Sequence, residues 1–526
     1  MRQRTHNLGE AVGEAVGVMA GCLRRRVASR HHSSVTHEPS RRDVLRWSAF
    51  AAGTIPLAGL LAACASDEAK RSGAKPSASS SDPRHEPPWW LAGNFAPVMQ
   101  EVEAFDLEVK GALPPELTGM YVRNGSNPQH ADSSHWFFGD GMVHGIRLDA
   151  GKATSYRNRY VHTALYDAGE GFGASVPGGA ATQSNVSAIW HGNKLLTSGE
   201  VGFPHELSTE DLSTKRLYDF DGALTTAFTA HPKIDPATGR LHFFGYGFVA
   251  PFLTYHVAEA DGRLVHSEVI DIPRSTMIHD FAITDQDVVF WDLPVVFDLE
   301  AATKWIKDPN AGVFPYRWAP EVGARVGVMP LGGPARAIAW HDIDPCYIFH
   351  GLNAHRDGDT VVLDACRLTS MFVPGEKFGG QPSERRWTIN TTTGKVAEDT
   401  VEADRPGELP SRDPRHVGRK HRYGYYVQIR RPGHGVDLGG LIKRDDLRGT
   451  REIWDPGPSG HTGEWLFVPT GDGEDAGYLL TYLYDDRTEK SEFVVVDATA
   501  VRKGPVARVT LPQRVPYGFH AAWVTA

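Results

Sequence analysis

Four histidines occupy comparable positions in strand-like segments that are far apart in the chain. His231 in TAHPKIDP, His279 in MIHDFAIT and His350 in FHGLNAH each stand about ten residues before the next apolar segment, with a turn between them. His520 in VPYGFHAAWV lies in the last strand-like stretch. A single hairpin histidine is most often a hydrogen-bonded core residue. Four that converge on one point would bind a metal, since imidazole is a good ligand for iron, zinc, copper and nickel.

The elements that must position these histidines are β-hairpins. Besides the hairpins of His231, His279 and His350, the same strand-turn-strand pattern appears in NVSAIWHGNKLLTSGE (185–200), RRWTINTTTGKVAEDTV (385–401) and YLLTYLYDDRTEKSEFVVVDA (478–498). Many short hairpins over more than 400 residues, without gaps of helix length, predict an all-β fold and favour a β-propeller over a sandwich. The innermost strands of a propeller meet at one axis, so histidines from distant blades would lie together there.

The bulk composition excludes several functional classes. The formal net charge is −9, and no long basic run occurs outside the N-terminal region, so we expect no nucleic-acid partner. The four cysteines form no CxxC pair, which argues against a zinc knuckle or a disulfide scaffold. Any metal site is therefore expected to use the 24 histidines.

The N-terminal region is predicted to carry targeting information. SRRDVLR (40–46) followed by an apolar run to residue 63 resembles a twin-arginine export signal, and LAAC, ending at Cys64, resembles a lipobox. We therefore assign residues 1–64 to a signal and Cys64 to lipidation, and expect an exported, membrane-anchored lipoprotein. Residues 65–86 form a polar tether. The alternatives are a chance cysteine in an ordinary signal and, if translation starts downstream, for example at Met19, a cytoplasmic protein.

The sequence from about Trp89 to Trp523 resembles the carotenoid cleavage oxygenase family. The resemblance rests on GMYVRNGSNPQ (119–129), HWFFGDGMVHGIRL (135–148) and the four histidine segments in their order. It implies that residues 87–526 form a seven-bladed β-propeller with a small helical and loop cap over one face. It also implies a mononuclear non-haem iron(II) centre that uses dioxygen to split a carbon–carbon double bond into two carbonyl products.

Carried over to this sequence, the resemblance assigns iron ligation to His231, His279, His350 and His520. The nearby His355 could in principle replace His350, but the pattern F-H-x-x-N-A selects His350. The family also uses three glutamates that bond to ligand histidines, and the matching positions are assigned here to Glu200, Glu408 and Glu474. A solvated loop position is the alternative for Glu408. His231 is expected to be the histidine without such a carboxylate.

The expected substrate is an apolar polyene, a carotenoid or an apocarotenoid. Stilbene-cleaving members carry a lysine just before the first of the glutamates, and Gly199 stands at that position here. A phenolic stilbene remains the alternative substrate. An isomerase or hydrolase and a non-catalytic polyene-binding lipoprotein are further alternatives. The apolar stretch GFVAPFL (247–253) is either a peripheral membrane-contact patch or a core strand.

Overall fold

The structure, a computed structural model, describes residues 87–525 except 172–177, 309–313, 375, 377–378 and 431–435. The proposed signal, the tether and Cys64 lie outside the described residues. The first strands are β1 (Glu103–Phe105), β2 (Val109–Gly111), β3 (Gly119–Ser126), β4 (Gly141–Asp149), β5 (Lys152–Tyr160), β6 (Ser187–His191), β7 (Lys194–Ser198), β8 (His205–Leu207), β9 (Thr214–Leu217), β10 (Lys233–Ile234), β11 (Leu241–Tyr246), β12 (Leu253–Ala258) and β13 (Leu264–Ile270).

The remaining strands complete the described chain. They are β14 (Ala282–Ile283), β15 (Asp287–Asp292), β16 (Val295–Phe297), β17 (Tyr316–Trp318), β18 (Ala324–Pro330), β19 (Ala339–Ile343), β20 (Tyr347–Asp357), β21 (Thr360–Leu368), β22 (Pro382–Asn390), β23 (Val396–Glu402), β24 (Gly407–Ser411), β25 (Tyr423–Ile429), β26 (Leu438–Asp445), β27 (Thr450–Trp454), β28 (Gly460–His461), β29 (Leu466–Pro469), β30 (Gly477–Asp485), β31 (Lys490–Asp497), β32 (Pro505–Thr510) and β33 (Ala521–Thr525).

Seven antiparallel sheets form the blades of a propeller, which confirms the predicted fold class. In chain order, with the order of strands in each sheet, blade 1 is β33-β3-β4-β5-β1, blade 2 is β6 to β9, blade 3 is β10 to β13, blade 4 is β14-β15-β18-β19, blade 5 is β20 to β23, blade 6 is β24 to β27, and blade 7 contains β29, β28, β30, β31, β32 and β2. Strands β16 and β17 form a separate two-stranded ribbon.

The two ends of the chain close the ring. The last strand, β33, pairs with β3 in blade 1, where Tyr121 lies opposite Trp523. The early strand β2 pairs with β32 in blade 7, where Val109 lies opposite Val509. Both pairings join segments about 400 residues apart, so the ring is held by backbone hydrogen bonds as well as by packing between blades.

Local turn chemistry explains the hairpins that the sequence predicts. Gly192 and Asn193 both have φ of +57° in the two-residue loop between β6 and β7, as a type I′ turn requires. The core lies between the sheets, where Phe290, Tyr347 and Trp387 are fully buried. Burying one such side chain contributes on the order of 1.5–3 kcal/mol, so packing between blades stabilises the ring.

Helices are few among the described residues. They are the α-helices α1 (Ala164–Ala168) and α2 (Leu299–Lys307) and the 3-10 turns Trp89–Leu91, Gly93–Phe95, Trp136–Phe138, Gly178–Ala180, Pro320–Val322, Ala335–Ala337, Pro414–His416 and Val501–Lys503. Trp305 of α2 packs on Phe138, with ring centroids 4.9 Å apart, and donates from Nε1 to the Ser134 hydroxyl. None of the helices in the described part of the chain is long and apolar enough to cross a bilayer.

Candidate metal centre and substrate cavity

The four predicted histidines come together at the propeller axis. His231 lies just before β10, His279 just before β14 and His520 directly before β33, and His350 is part of β20. Each of these strands is the innermost of its blade, so blades 3, 4, 5 and 1 supply one imidazole each. One ring nitrogen from each histidine lies within 4.8 Å of the others.

The arrangement of nitrogen atoms fits a bound metal ion. The Nε2 atoms of His231 and His279 are 2.9 Å apart, and those of His279 and His350 are 3.2 Å apart. Two nitrogens about 2.1 Å from one ion and at right angles would be separated by about 3 Å. The Nδ1 atoms of His279 and His350 each face a carboxylate, which makes Nδ1 the protonated nitrogen and leaves a lone pair on each Nε2. Two converging lone pairs cannot satisfy each other, whereas a cation satisfies both.

Carboxylates from other blades hold the imidazoles in place. His279 Nδ1 donates to Glu200 Oε1, and Tyr246 Oη donates to Glu200 Oε2 at 2.7 Å. Glu200 follows β7 in blade 2 and has a left-handed backbone, φ +61°, which a non-glycine residue adopts only where its surroundings impose it. His350 Nδ1 donates to Glu408 Oε2 at 2.6 Å. Glu408 belongs to β24, the innermost strand of blade 6, so its carboxylate is not a solvated loop group.

The third carboxylate is Glu464, and the assignment of Glu474 is wrong. His520 Nδ1 donates to Glu464 Oε1 at 3.0 Å, and the backbone N–H of Ala521 donates to Glu464 Oε2 at 2.8 Å. Glu474 instead accepts the backbone N–H groups of Arg422 and Tyr423, at 2.6 and 2.8 Å, where β25 begins.

The sequence did contain a signal for Glu464. It stands two residues before β29, the strand that lies inside β30 in blade 7, just as the ligand histidines stand at the heads of their inner strands. Glu474 lies in the turn between β29 and β30, which points away from the heads of the inner strands. Among the described residues, no carboxylate bonds to the ring of His231, whose Nε2 faces that of His279.

Burial and the neighbouring groups set the protonation of the site. Burial, and then the neighbouring imidazoles, hold the pKa of His231 and of His350 well below the usual range, so both rings are neutral and able to bind a cation. Burial also opposes the charged form of His279, but the Glu200 carboxylate outweighs it and raises that pKa. Burial raises the pKa of the Glu408 carboxyl to about 7.

A largely apolar cavity with several aromatic side chains opens onto the histidine cluster. Its wall includes three of the four histidines, His279, His350 and His520. Gly199, Glu200 and Glu408 also line it. Apolar side chains form most of the rest: Trp136, Phe137, Phe138, Val186, Tyr246, Phe248, Met277, Phe314, Tyr316, Phe349, Leu368, Leu409, Ile429, Val436, Leu438 and Phe519. Phe349 packs against the histidines, with its ring centroid 5.2 Å from that of His279 and 5.9 Å from that of His350. The cavity therefore suits an apolar molecule placed beside the cluster.

Comparison with known proteins agrees with this geometry. Residues 95–525 match the model of the family described as retinal pigment epithelial membrane protein. A carotenoid cleavage oxygenase of Mycobacterium tuberculosis is 36% identical over 492 residues, covering 82% of this chain and 97% of that protein. The chain belongs to the carotenoid cleavage oxygenase family.

Relatives with named activities cover more than one substrate class in this family. A carotenoid 9,10(9′,10′)-cleavage dioxygenase of Crocus sativus is 35% identical, covering 84% of this chain and 90% of that protein. Among solved structures, the lignostilbene dioxygenase of Pseudomonas brassicacearum superposes with a TM-score of 0.76 at 30% identity, covering 83% of this chain and 98% of that one. A variant of the Synechocystis apocarotenoid oxygenase gives 0.73 at 25% identity, covering 83% and 98%.

Two further predictions concern the cavity and its surroundings. Gly199 lines the cavity, but a Cβ placed on it would lie 3.0 Å from the Ser184 nitrogen and 3.1 Å from the Thr182 hydroxyl, so this family member has little room for a side chain there. Residues 247–252 form a loop between β11 and β12 and not a core strand, and Leu253 is the first residue of β12. The tip residue of the loop, Val249, is 47% exposed, whereas Phe248 packs inward against Phe297.

A second group of possible ligands serves a structural role. Asp364, His421 and Asp446 lie close enough together to bind a cation. Arg386 donates to both carboxylates, and Arg444 does the same. The negative charge is therefore already neutralised within the protein, and this cluster is an ion-pair network in blades 5 and 6. His355, the alternative ligand, lies near this network, with its ring centroid 6.4 Å from that of His421.

Proposed function

We propose that this chain is an iron(II)-dependent dioxygenase that cleaves one carbon–carbon double bond of a carotenoid or apocarotenoid to give two carbonyl products. The observation that carries the proposal is an apolar cavity that opens onto three of four convergent imidazoles, His279, His350 and His520, each of which is oriented by a carboxylate. His231, His279, His350 and His520 would hold the ion. When bound, iron(II) supplies the activation of dioxygen.

The chain's own residues orient the substrate and exclude water. Three phenylalanines, Phe137, Phe349 and Phe519, line the cavity that opens onto the cluster. The ring centroid of Phe137 lies 6.3 Å from that of Phe349 and 6.0 Å from that of Phe519. The flat faces of these rings suit a conjugated chain, and the double bond that lies beside the cluster is the one exposed to reaction. Three imidazoles each donate a hydrogen bond from Nδ1 to a carboxylate, that of Glu200, Glu408 or Glu464. This bond keeps Nε2 directed at the ion site.

A stilbene is the second candidate substrate, because the lignostilbene dioxygenase of Pseudomonas brassicacearum is 30% identical over most of the chain. Gly199 argues against it, since the lysine of stilbene-cleaving members is absent and a longer side chain meets Ser184. The test supplies iron(II) and air to the purified chain, with an apocarotenoid and a hydroxystilbene in parallel, and identifies the products by mass spectrometry.

The expected result is aldehyde fragments from the apocarotenoid. Fragments from the stilbene alone would replace the proposed substrate class and keep the reaction type. His279→Ala is the control: it should abolish cleavage while polyene binding persists. Equal, undetectable cleavage by the parent chain and His279→Ala, with polyene bound by both, would favour a non-catalytic carrier.

The export signal, the lipid anchor at Cys64 and membrane contact by residues 247–253 complete the proposal. The exposed tip of that loop and the exposed Leu299 on α2 are the apolar features that support membrane contact, because such side chains can enter the interface of a bilayer. A vesicle flotation assay tests it with Cys64→Ser as background. Val249→Asp should reduce flotation, whereas Val269→Asp, at an equally exposed site on β13, should not. Cell fractionation with and without the substitution of Arg41 and Arg42 tests export.

A further inference from the structure

The carboxylate of Asp280 joins three segments behind the histidine cluster. Its Oδ1 accepts from Lys233 Nζ at 2.6 Å and from the backbone N–H of Phe281 at 2.7 Å. Its Oδ2 accepts from the backbone N–H of Gly351 at 2.8 Å. The Asp280 side chain is 1% exposed, and that of Lys233 is 11% exposed, so these bonds are made away from bulk water. Charge-assisted bonds of this kind are about twice as strong as neutral ones.

Each bonded partner stands beside a ligand histidine. Lys233 follows His231 by two residues. Asp280 itself directly follows His279, and Gly351 directly follows His350. The three histidines belong to blades 3, 4 and 5, which are separate sheets. The backbone ladders within each sheet therefore do not fix the distance from one histidine to the next, and a direct bond between blades can.

The glycine in this arrangement permits the close approach. A Cβ on Gly351 would lie 3.0 Å from the Trp291 ring and 3.6 Å from Asp280 Oδ2. A side chain there would have to displace the tryptophan, which is almost fully buried. The absence of a side chain lets the Gly351 N–H reach the carboxylate and brings the backbone next to His350 close to the segment that carries His279.

We propose that Asp280, paired with Lys233, is a positioning residue that sets the separation of His231, His279 and His350. This inference rests on the proposed iron site. It adds Asp280 and Lys233 to that site, although neither bonds to a ring nitrogen of a ligand histidine. Without the carboxylate, His279 and His350 keep their own glutamates, but the bonds through Asp280 that join the segments of all three imidazoles are lost. The metal affinity should then fall although every ligand is still present, as happens when groups that orient metal ligands are removed.

The substitutions separate charge from shape. Asp280→Asn keeps the size of the side chain and one carbonyl oxygen, but its amide N–H₂ opposes either Gly351 or Lys233. Lys233→Met removes the ammonium and leaves both backbone bonds of Asp280 possible. The double variant removes both charges, so it avoids a buried ion without a partner. Lys443→Met is the matched control: Lys443 is a 4% exposed lysine of blade 6, bonded to Asp475 at 2.7 Å.

The experiment measures metal binding by the full chain and needs no substrate. Iron(II) affinity is obtained by competition with a chelator, the ligand geometry from the visible spectrum of the cobalt(II)-loaded protein, and stability from the urea midpoint. We expect Asp280→Asn and Lys233→Met to bind iron(II) about 10- to 100-fold more weakly, with an altered cobalt spectrum. Lys443→Met should lower the urea midpoint and leave both metal readouts unchanged.

The inference would be overturned if both single variants bound iron(II) within twofold of the parent chain and gave the same cobalt spectrum. If Asp280→Asn fails to fold, Lys233→Met and the double variant give the same test. A parent chain that binds neither metal at the four histidines would instead refute the proposed function. A parent that binds metal but cleaves no substrate leaves the positioning role of Asp280 to be judged from the ratio of affinities.

Discussion

Replacing Glu464 with glutamine tests the identity of the third orienting carboxylate. Each oxygen of Glu464 accepts one hydrogen bond: Oε1 from the His520 ring at 3.0 Å and Oε2 from the Ala521 backbone N–H at 2.8 Å. A glutamine amide can accept only one of them, because its other end is an N–H₂ group that would face a donor. In either orientation one buried donor loses its partner, which costs about 1–3 kcal/mol.

That penalty should appear mainly as lost metal affinity. If the amide oxygen bonds to Ala521, the His520 ring loses its preferred tautomer and orientation. Groups that orient a ligand in this way contribute about 10- to 100-fold to metal affinity, or roughly 1.4–2.7 kcal/mol. Chelator competition for iron(II) measures the change, and the urea midpoint shows whether the fold is retained.

Glu474→Gln is the matched comparison. Its Oε1 accepts both N–H groups, of Arg422 and Tyr423, at the start of β25 and not at an imidazole. A glutamine oxygen can keep both bonds, so only their charge assistance is lost. We expect a loss of unfolding free energy of about 1 kcal/mol and unchanged iron affinity. Equal losses of affinity in the two variants, or a loss only in Glu474→Gln, would refute the assignment of Glu464.

Three further predictions concern packing, thiol reactivity and acid stability. Gly199→Lys should lower the free energy of unfolding by about 1–3 kcal/mol, measured in urea, because its Cβ would press on Ser184 and Thr182; an unchanged midpoint would show that these neighbours shift without cost. Burial raises the pKa of the Cys346 thiol to about 12 and also raises that of Cys366, so in a chain lacking the other two cysteines a neutral maleimide should label neither thiol at pH 9 until urea is added. Burial opposes the charge of Asp364, yet its arginine partners hold its pKa well below the usual range. Its stabilisation is therefore complete above the unfolded pKa of about 4 and lost as pH falls towards the folded pKa; Asp364→Asn should cost about 3–5 kcal/mol at pH 7 and progressively less below pH 4, and a pH-independent cost would contradict this reasoning.

The sequence predicted the hairpins because their turns are encoded by neighbouring residues. Gly192-Asn193 favours a two-residue type I′ loop, and the strands on both sides carry buried apolar side chains such as Ile189 and Leu195. The number of blades could not be counted from the sequence, since the repeats share little beyond this pattern. The closure of the ring could not be inferred from local sequence either, because β33 pairs with β3 across about 400 residues and has no turn to mark the pairing.

The site was predictable where a single residue type has to perform the chemistry. Only imidazole nitrogens converge here, so the four histidines could be identified one by one. The carboxylates were harder to assign because glutamates are common in surface loops. Glu474 was chosen from the residues beside it in the sequence and not from its position relative to an inner strand. The wall residues were missed for a different reason: Phe349 and His350 are consecutive, yet both line the cavity. A register shift in β20 between Ile348 and Gly351 interrupts the alternation of faces that strand patterns assume.

The distribution of ligands and carboxylates over the ring explains why this fold can hold an all-imidazole site. Blades 1, 3, 4 and 5 supply the histidines, and blades 2, 6 and 7 supply Glu200, Glu408 and Glu464, so all seven blades contribute to one centre. Neutral ligands leave the ion its full charge, and the three carboxylates balance that charge one bond further out. A displacement of any blade would thus move either one of the four histidines or the group that orients one. Ring closure through β33, directly after His520, is therefore a requirement for the proposed metal centre as well as for the fold.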